Sequence, residues 1–132
     1  MAYLIDTNII IYSLKNDPAV NTRFERTANI PKSISVITYG ELVYGARKSQ
    51  HVERSLATTY RIAELFPIID INRSIMDIFA EIKGNLERKG NVINDMDVLI
   101  AATALSHNLV LVTNDMNHFS RIEDLKIENW KE

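Results

Sequence analysis

Four acidic residues are placed where their carboxylates could act together: Asp6, Glu41, Asp97 and Asp115. Asp6 closes the apolar run at 3–5, and Asp115 follows another apolar run. Glu41 and Asp97 fall in the first turns of predicted helices. Two carboxylates about 4 Å apart repel by roughly 4 kcal/mol at an effective dielectric constant of 20. A converging group of acids therefore either raises its own pKa values or binds a cation.

A cluster of carboxylates offers hard oxygen ligands, and we expect no histidine or cysteine among them. The cation that fits such ligands is Mg²⁺, with Mn²⁺ as the alternative. Such an ion keeps several waters that a phosphate group can replace. It can activate water, polarise a phosphoryl oxygen and stabilise a leaving alkoxide. The chemistry that these residues predict is phosphodiester hydrolysis.

Each acid also has a purely structural interpretation. Thr38 and Glu41 have the spacing of a capping box, in which the glutamate reaches back to the Thr38 N–H. Asp97 can complement a helix dipole, and Asp6 and Asp115 can cap the helices that follow them. The structural interpretation is less convincing for all four acids together than for each one alone. Four helix caps have no reason to lie close to one another, whereas four acids at one edge of a sheet can meet.

Short apolar runs alternate with helical patterns along the chain. Strands are predicted at 2–5, 33–37, 67–71 and 109–112, with a possible edge strand within 125–130. Helices are predicted at 9–14, 19–28, 39–48, 51–65, 74–88 and 95–106. Apolar strands separated by helices indicate an α/β fold, a three-layer sandwich with a central parallel sheet of four to five strands. Sites in such sheets form beyond the carboxyl ends of the strands, where the four acids fall.

Length and composition limit the classes of protein to which this chain can belong. At 132 residues, with 46% hydrophobic and 24% charged residues, the chain is expected to form one soluble domain over 1–132. Neither a membrane span nor a secretory signal is apparent. The absence of cysteine excludes disulfides and thiolate zinc sites and fits a reducing cytoplasm. A net charge of −2 argues against a broad cationic surface for nucleic acid, but not against a local one.

Four motifs in order resemble those of PIN-domain ribonucleases, specifically VapC-type toxins of bacterial toxin–antitoxin pairs. They are LIDTN at 4–8, ISVITYGELVYGA at 34–46, DVLIAA at 97–102, and LVTND at 111–115 with Phe119. The segment ENW at 128–130 also resembles the usual ending of these toxins. One such motif is weak, whereas all four at family spacing are specific, and the resemblance runs nearly end to end.

The resemblance implies roles for individual residues. Asp6, Glu41 and Asp97 match the catalytic acidic triad that binds the metal. Asp115 matches a fourth position where this subgroup has Asp or Asn, so it is a catalytic and metal-binding candidate. Asp95 departs from the pattern and is expected to cap its helix, with added charge at the site as the alternative.

Further positions carry supporting or binding roles. Polar residues that match the family's supporting positions are Asn8, Ser35 and Thr113. Candidate RNA-binding residues, each with a solvated helix face as the alternative, are Arg47, Lys48, Arg54, Lys83, Arg88 and Lys89. Histidines expected at the surface or at helix ends, and not as general bases, are His51, His107 and His118. Tyrosines expected to pack in the core or a dimer, with base stacking as the alternative, are Tyr39 and Tyr44.

The function implied by the resemblance is that of a Mg²⁺-dependent endoribonuclease toxin, with Mn²⁺ possible. The nearest subgroup cuts initiator tRNA in the anticodon loop and so stops translation. The resemblance further implies a cytoplasmic homodimer, products with 5′-phosphate and 3′-hydroxyl ends, and a VapB-type antitoxin that blocks the site. Operator DNA would be bound only through that antitoxin.

Two other classes of protein are alternatives to a PIN-domain nuclease. A haloacid-type phosphatase or a receiver domain also places Asp after the first strand, but the former needs a second Asp where Asn8 stands. A receiver needs its acceptor Asp after the third strand and a Lys after the fifth, and neither is evident. The non-enzymatic alternative is a catalytically weak PIN-like scaffold that acts through antitoxin and operator DNA binding.

Overall fold

Five parallel strands form the central sheet of the structure, a computed structural model that describes residues 2–131. The strands are β1 (Tyr3–Ile5), β2 (Lys32–Ser35), β3 (Ile68–Ile69), β4 (Val110–Val112) and β5 (Ile127–Glu128). They lie in the order β3-β2-β1-β4-β5, and every neighbouring pair is parallel. The predicted parallel sheet is confirmed, including the edge strand expected within 125–130.

Seven helices in the described part of the chain flank the sheet. They are α1 (Thr7–Leu14), α2 (Pro18–Arg26), α3 (Val36–Lys48), α4 (Val52–Leu65), α5 (Arg73–Lys89), α6 (Asp95–Ser106) and α7 (Met116–Phe119). No helix within residues 2–131 has the length and apolar character needed to cross a lipid bilayer.

Side chains of β1 alternate between two hydrophobic cores, as the pleat of a strand requires. Leu4 packs into the core that contains Ile82 of α5, whereas Tyr3 and Ile5 pack into the core that contains Trp130. All three residues of β1 are buried, as expected for a parallel strand covered on both faces. The three-layer α/β sandwich is therefore confirmed.

The start of α3 lies earlier than the sequence pattern predicts. Ser35 is the N-cap, and its Oγ accepts a 3.0 Å hydrogen bond from the Thr38 N–H. The strand therefore ends at Ser35 instead of residue 37, and the capping box expected at Thr38 and Glu41 is wrong. Because Ser35 satisfies the helix terminus, the Glu41 side chain is available for other contacts.

Candidate active site

The carboxyl ends of β1 and β4 lie side by side, and an acid follows each of them. Asp6 caps α1, its Oδ1 accepting a 2.8 Å hydrogen bond from the Thr7 N–H. Asp115 caps α7, its Oδ1 accepting a 3.1 Å hydrogen bond from the His118 N–H. The capping interpretation is correct for both residues, and it does not exclude convergence. The same chain geometry that caps the helices places both acids at one edge of the sheet.

Asp6 is the most buried of the four acids, with 6% of its surface exposed. Its Oδ2 accepts a 2.8 Å hydrogen bond from the Thr113 hydroxyl, which in turn accepts a 3.0 Å hydrogen bond from the Asp115 N–H. Thr113 therefore holds the backbone of one acid and the side chain of another. This is the kind of supporting contact expected of a group next to a metal ligand.

Glu41 reaches the site from α3 through a contact with the turn that follows β1. The Thr7 hydroxyl lies 2.6 Å from Glu41 Oε1 and 3.1 Å from Thr38 Oγ1. The charge of Glu41 contributes to the raised pKa of Asp6, and Thr7, the residue next to Asp6, contacts Glu41 directly. Asn8, the predicted supporting residue, is exposed, and the neighbouring Thr7 makes these contacts instead. Ser35 supports the site by capping the helix that carries Glu41.

Asp97 lies in the first turn of α6 and is oriented by the cap of that helix. Asn94 Oδ1 accepts a 2.9 Å hydrogen bond from the Asp97 N–H, and Asn94 Nδ2 donates a 3.0 Å hydrogen bond to Asp97 Oδ2. Asn94 is the N-cap, so the expectation that Asp95 caps this helix is wrong. Asp95 instead pairs with Lys83, whose Nζ lies 3.1 Å from its Oδ1.

His118 joins the acidic cluster, although the sequence pattern assigned no histidine to it. Its Nδ1 lies 2.7 Å from Asp115 Oδ2 and 3.5 Å from Asp97 Oδ2. This nitrogen is buried and has no hydrogen-bond partner of regular geometry within residues 2–131. The expected position at a helix end is correct, since His118 lies in the last turn of α7. The expectation of a cluster without histidine is wrong, and the Asp115–His118 spacing was the signal that could have revealed it.

The electrostatics of the cluster are those of neighbouring acids, two of which have raised pKa values. Burial, then the charges of Asp97 and Glu41, raise the pKa of Asp6 to about 6, against the opposing hydrogen bonds from Thr113 and Thr7. Burial and the charge of Asp115 also raise the pKa of Asp97. Within residues 2–131, no lysine or arginine forms an ion pair with any of the four acids.

The donor set fits a divalent cation. One nitrogen of His118 and one carboxylate oxygen each of Asp97 and Asp115 lie within 4.8 Å of one another. The negative charge of the acids is not offset by a lysine or arginine within residues 2–131, and the buried Nδ1 has no hydrogen bond of regular geometry there. A divalent ion would satisfy both.

The candidate RNA-binding residues fall into two groups, those that contact other side chains and those that form no ion pair within residues 2–131. Lys83 pairs with Asp95, and Lys89 pairs with Glu123 at 2.5 Å. Arg88 contacts Asn85 on its own helix. Arg47, Lys48 and Arg54 are exposed, and within residues 2–131 none of the three forms an ion pair. Arg47 and Lys48 lie in the last turn of the helix that carries Glu41.

A groove of about 370 Å³ lies beside Glu41. Its lining consists of Val36, Ile37, Gly40, Glu41, Tyr44 and Met96. Tyr44 is 65% exposed, and Lys48 Nζ lies 4.9 Å from the centre of its ring. Tyr44 therefore does not pack in the core, whereas Tyr39 packs against the core that contains Ile5.

Comparison with known proteins gives the same fold over almost the whole chain. The sequence model of the family described as "PIN domain" matches residues 3–125. "Ribonuclease VapC2" of Haemophilus influenzae is 37% identical over 131 residues, which cover 98% of each chain. The "tRNA(fMet)-specific endonuclease VapC" of Shigella flexneri is 35% identical over 131 residues, again 98% of each chain.

Solved structures of similar proteins have the same fold as this chain. The crystal structure of VapBC2 from Rickettsia felis, bound to a DNA fragment from their promoter, contains a chain with a TM-score of 0.92 and 35% identity. That match covers 98% of this chain and 99% of the other. The chain thus belongs to the PIN-domain family of metal-dependent nucleases and, within it, to the VapC ribonucleases.

Proposed function

We propose that this chain is the endoribonuclease toxin of a toxin–antitoxin pair, that it cleaves tRNA, and that initiator tRNA is cut in the anticodon loop. A cytoplasmic location and a single PIN domain over 1–132 are part of the proposal. The observation that carries it is the placement of the acids at one edge of the sheet, with Asp97 and Asp115 beside His118 and with Asp6 acted on by the charges of Glu41 and Asp97. The substrate is taken from the Shigella flexneri relative, whose name specifies tRNA(fMet).

Asp6, Glu41, Asp97 and Asp115 would hold the metal, Mg²⁺ or Mn²⁺. When bound, the divalent ion polarises water and the scissile phosphate and offsets the charge that develops on the leaving oxygen. Positioning comes from the chain itself. The Thr113 hydroxyl fixes Asp6, the Thr7 hydroxyl fixes Glu41, and Asn94 fixes Asp97.

Asp97 is the proton acceptor in this proposal. Its Oδ2 accepts a hydrogen bond from Asn94, which leaves Oδ1 to take a proton from the attacking water. Burial raises the pKa of Asp97, and a general base is most effective when its pKa approaches the operating pH. In-line attack at phosphorus then yields a 5′-phosphate and a 3′-hydroxyl.

The acidic site needs cations to hold RNA against it. Arg47 and Lys48 of α3 and Arg54 of α4 are exposed and free of ion pairs within residues 2–131. Contacts of such residues with phosphates supply affinity more than sequence choice. Lys83 and Lys89 are already paired with Asp95 and Glu123, so we assign them a smaller part.

The partner in this proposal is a VapB-type antitoxin. The similar Rickettsia felis structure is a complex named VapBC2 with promoter DNA, which supports an antitoxin that also binds the operator. An arginine of the antitoxin could pair with the carboxylates in place of the metal, since arginine–carboxylate pairs are strong and often bidentate. We further propose that the toxin is a homodimer and contacts operator DNA only through the antitoxin.

Cleavage of purified total tRNA by the isolated chain tests the proposal. We expect discrete fragments with Mg²⁺, none with EDTA, and none with Asp97→Asn, and mapping of the fragment ends names the substrate. Asp95→Asn is the matched control, because Asp95 lies on the same turn of α6 but pairs with Lys83. If folded protein free of antitoxin cleaves no tRNA, ribosomal RNA or messenger RNA, the proposal fails and the binding-scaffold alternative replaces it.

A further inference from the structure

His118 has a ring nitrogen in an unusual position for a residue on the protein surface. Its side chain retains 38% exposure, yet Nδ1 is turned inward and buried. Two carboxylate oxygens approach this nitrogen, Asp115 Oδ2 at 2.7 Å and Asp97 Oδ2 at 3.5 Å. Despite this proximity, Nδ1 has no hydrogen-bond partner of regular geometry in the described part of the chain. A buried polar atom normally has such a partner.

The local backbone fixes His118 relative to Asp115. Asp115 Oδ1 accepts the hydrogen bond from the His118 N–H at 3.1 Å, which caps α7. That contact uses one carboxylate oxygen and leaves Oδ2 facing the imidazole ring. The Asp115 N–H is itself bound to Thr113 Oγ1 at 3.0 Å, so the pair is anchored to the end of β4. One oxygen and one nitrogen are therefore presented side by side by a short, constrained turn.

The spacing of these donors suits a cation between them. Adjacent ligands of an octahedral ion at about 2.1 Å lie about 3 Å apart. The separations of 2.7 and 3.5 Å from Nδ1 bracket that value, and all three donors lie within 4.8 Å of one another. Imidazole is a poor ligand for Mg²⁺, and Mn²⁺, although it also prefers carboxylate oxygens, is a softer ion that accepts a nitrogen ligand more readily than Mg²⁺ does.

We propose that His118 ligates the metal through Nδ1, together with Asp97 and Asp115, and that this mixed nitrogen and oxygen site favours Mn²⁺ over Mg²⁺. The inference rests on the proposed function, since it concerns the ion of the same site. The competing interpretation is an ion pair between His118 and Asp115 that never contacts the metal.

Pulsed electron paramagnetic resonance of the Mn²⁺-loaded full chain distinguishes metal ligation by His118 from an ion pair between His118 and Asp115. Nitrogen of a coordinated imidazole couples to the Mn²⁺ electron spin. We expect that coupling in the wild-type protein and its loss in His118→Asn, in which the short amide side chain can place an oxygen near the position of Nδ1. His107→Asn is the matched control because His107 is exposed at the end of α6, and it keeps the coupling.

Competition between the two ions gives a second readout. Loss of even a supporting group around a metal site typically weakens binding by 10–100-fold, so we expect His118→Asn to lower Mn²⁺ affinity by at least about tenfold. Mg²⁺ affinity should change less, so that the preference for Mn²⁺ shrinks. Circular dichroism of both variants establishes that they are folded.

The outcomes distinguish this inference from the proposed function. Bound Mn²⁺ without nitrogen coupling in the wild type overturns the role of His118 and leaves the nuclease intact. Coupling that persists in His118→Asn likewise overturns it, because another nitrogen is then the ligand. If the protein cleaves RNA without any divalent ion, the proposed metal-dependent mechanism is wrong as well.

Discussion

The Thr113 hydroxyl donates a 2.8 Å hydrogen bond to Asp6 Oδ2, although 107 positions separate the two residues in the sequence. The contact joins the end of β4 to the end of β1. The same hydroxyl oxygen accepts the Asp115 N–H. One threonine therefore sets the positions of two acids that lie on different strands and helices.

We expect Thr113→Val to reduce RNA cleavage and to destabilise the fold by about 1–3 kcal/mol. The substitution conserves shape but leaves the part-buried Asp115 N–H and the buried Asp6 Oδ2 without their partner, which incurs the desolvation penalty of unpaired polar groups. Urea unfolding and tRNA cleavage measure the two effects. Thr103→Val is the control, because Thr103 is equally buried but bonds only to Leu99 O within α6. Equal loss of activity in both variants would contradict the assignment.

Asp6→Asn should stabilise the protein at neutral pH while abolishing cleavage. The pKa of Asp6 is about 6 in the folded state against 3.8 for the free group, so the folded state binds more protons between these values. Stability contributed by this group therefore falls as pH rises from about 4 to 6, and the cost of ionised Asp6 is on the order of 3 kcal/mol above pH 6. Asparagine removes that cost and keeps one acceptor for the Thr7 N–H, but it loses the acceptor for the Thr113 hydroxyl, so the net gain is smaller than the cost of the charge.

Unfolding in EDTA at several pH values tests this expectation. The stability gain of Asp6→Asn should be largest above pH 6 and shrink towards pH 4. Asp77→Asn, which changes an exposed carboxylate on α5, should show no such trend. A gain that is independent of pH would mean that Asp6 is not the titrating group.

Thr7→Val should weaken metal binding with little change in stability. It removes the 2.6 Å contact to Glu41 Oε1, so the glutamate loses its orientation, and supporting contacts of this kind are worth about 10–100-fold in affinity or activity. Calorimetric titration with Mn²⁺ measures the loss. Thr58→Val is the matched change, since the Thr58 hydroxyl bonds to Arg54 O on exposed α4. Unchanged metal affinity in Thr7→Val would show that Glu41 is placed by other contacts.

Arg47→Ala and Lys48→Ala should raise the KM for tRNA without lowering kcat. Each lost phosphate contact reduces the slope of log affinity against log salt by about 0.7–0.9. Lys89→Ala is the control, because Lys89 is engaged with Glu123 on an exposed surface. Such pairs contribute at most about 1 kcal/mol, so this variant should fold and bind RNA normally. A larger effect from Lys89 would move the RNA path to the α5 face.

The sheet and the main helices could be predicted because their signals are local. Fully apolar runs such as 109–112 identify buried parallel strands, and the stripe along α5 ends at Gly90, which adopts φ +70° as the helix C-cap. The start of α3 was misplaced because Val36 and Ile37 have strand-like side chains, whereas Ser35 supplies the cap. Residues 116–119 are too few to show helical periodicity, so only the cap of α7 could be anticipated.

The acids of the site could be predicted, but most of what holds them could not. Asp6 and Asp115 follow strands, and the sheet architecture alone brings such positions together. The contacts of Thr7 with Glu41 and of Asn94 with Asp97 depend on side-chain directions that no sequence pattern encodes. The Asp115–His118 spacing is visible in the sequence, but a three-residue spacing at the end of a strand does not by itself indicate a ligand pair.

The strand order sets when a growing polypeptide can become toxic. β1 leaves the ribosome first, but its neighbour β4 begins only at residue 110 of 132, and Tyr3 of β1 is in register with Val110 of β4. Asp6 therefore has no Thr113 hydroxyl to bind until the end of β4 has been synthesised, and Asp115 is added two residues later. Nascent chains and products of premature termination that stop before β4 therefore carry Asp6 and Glu41 without the assembled centre. The acidic centre can therefore assemble only after Thr113 and Asp115 have been made.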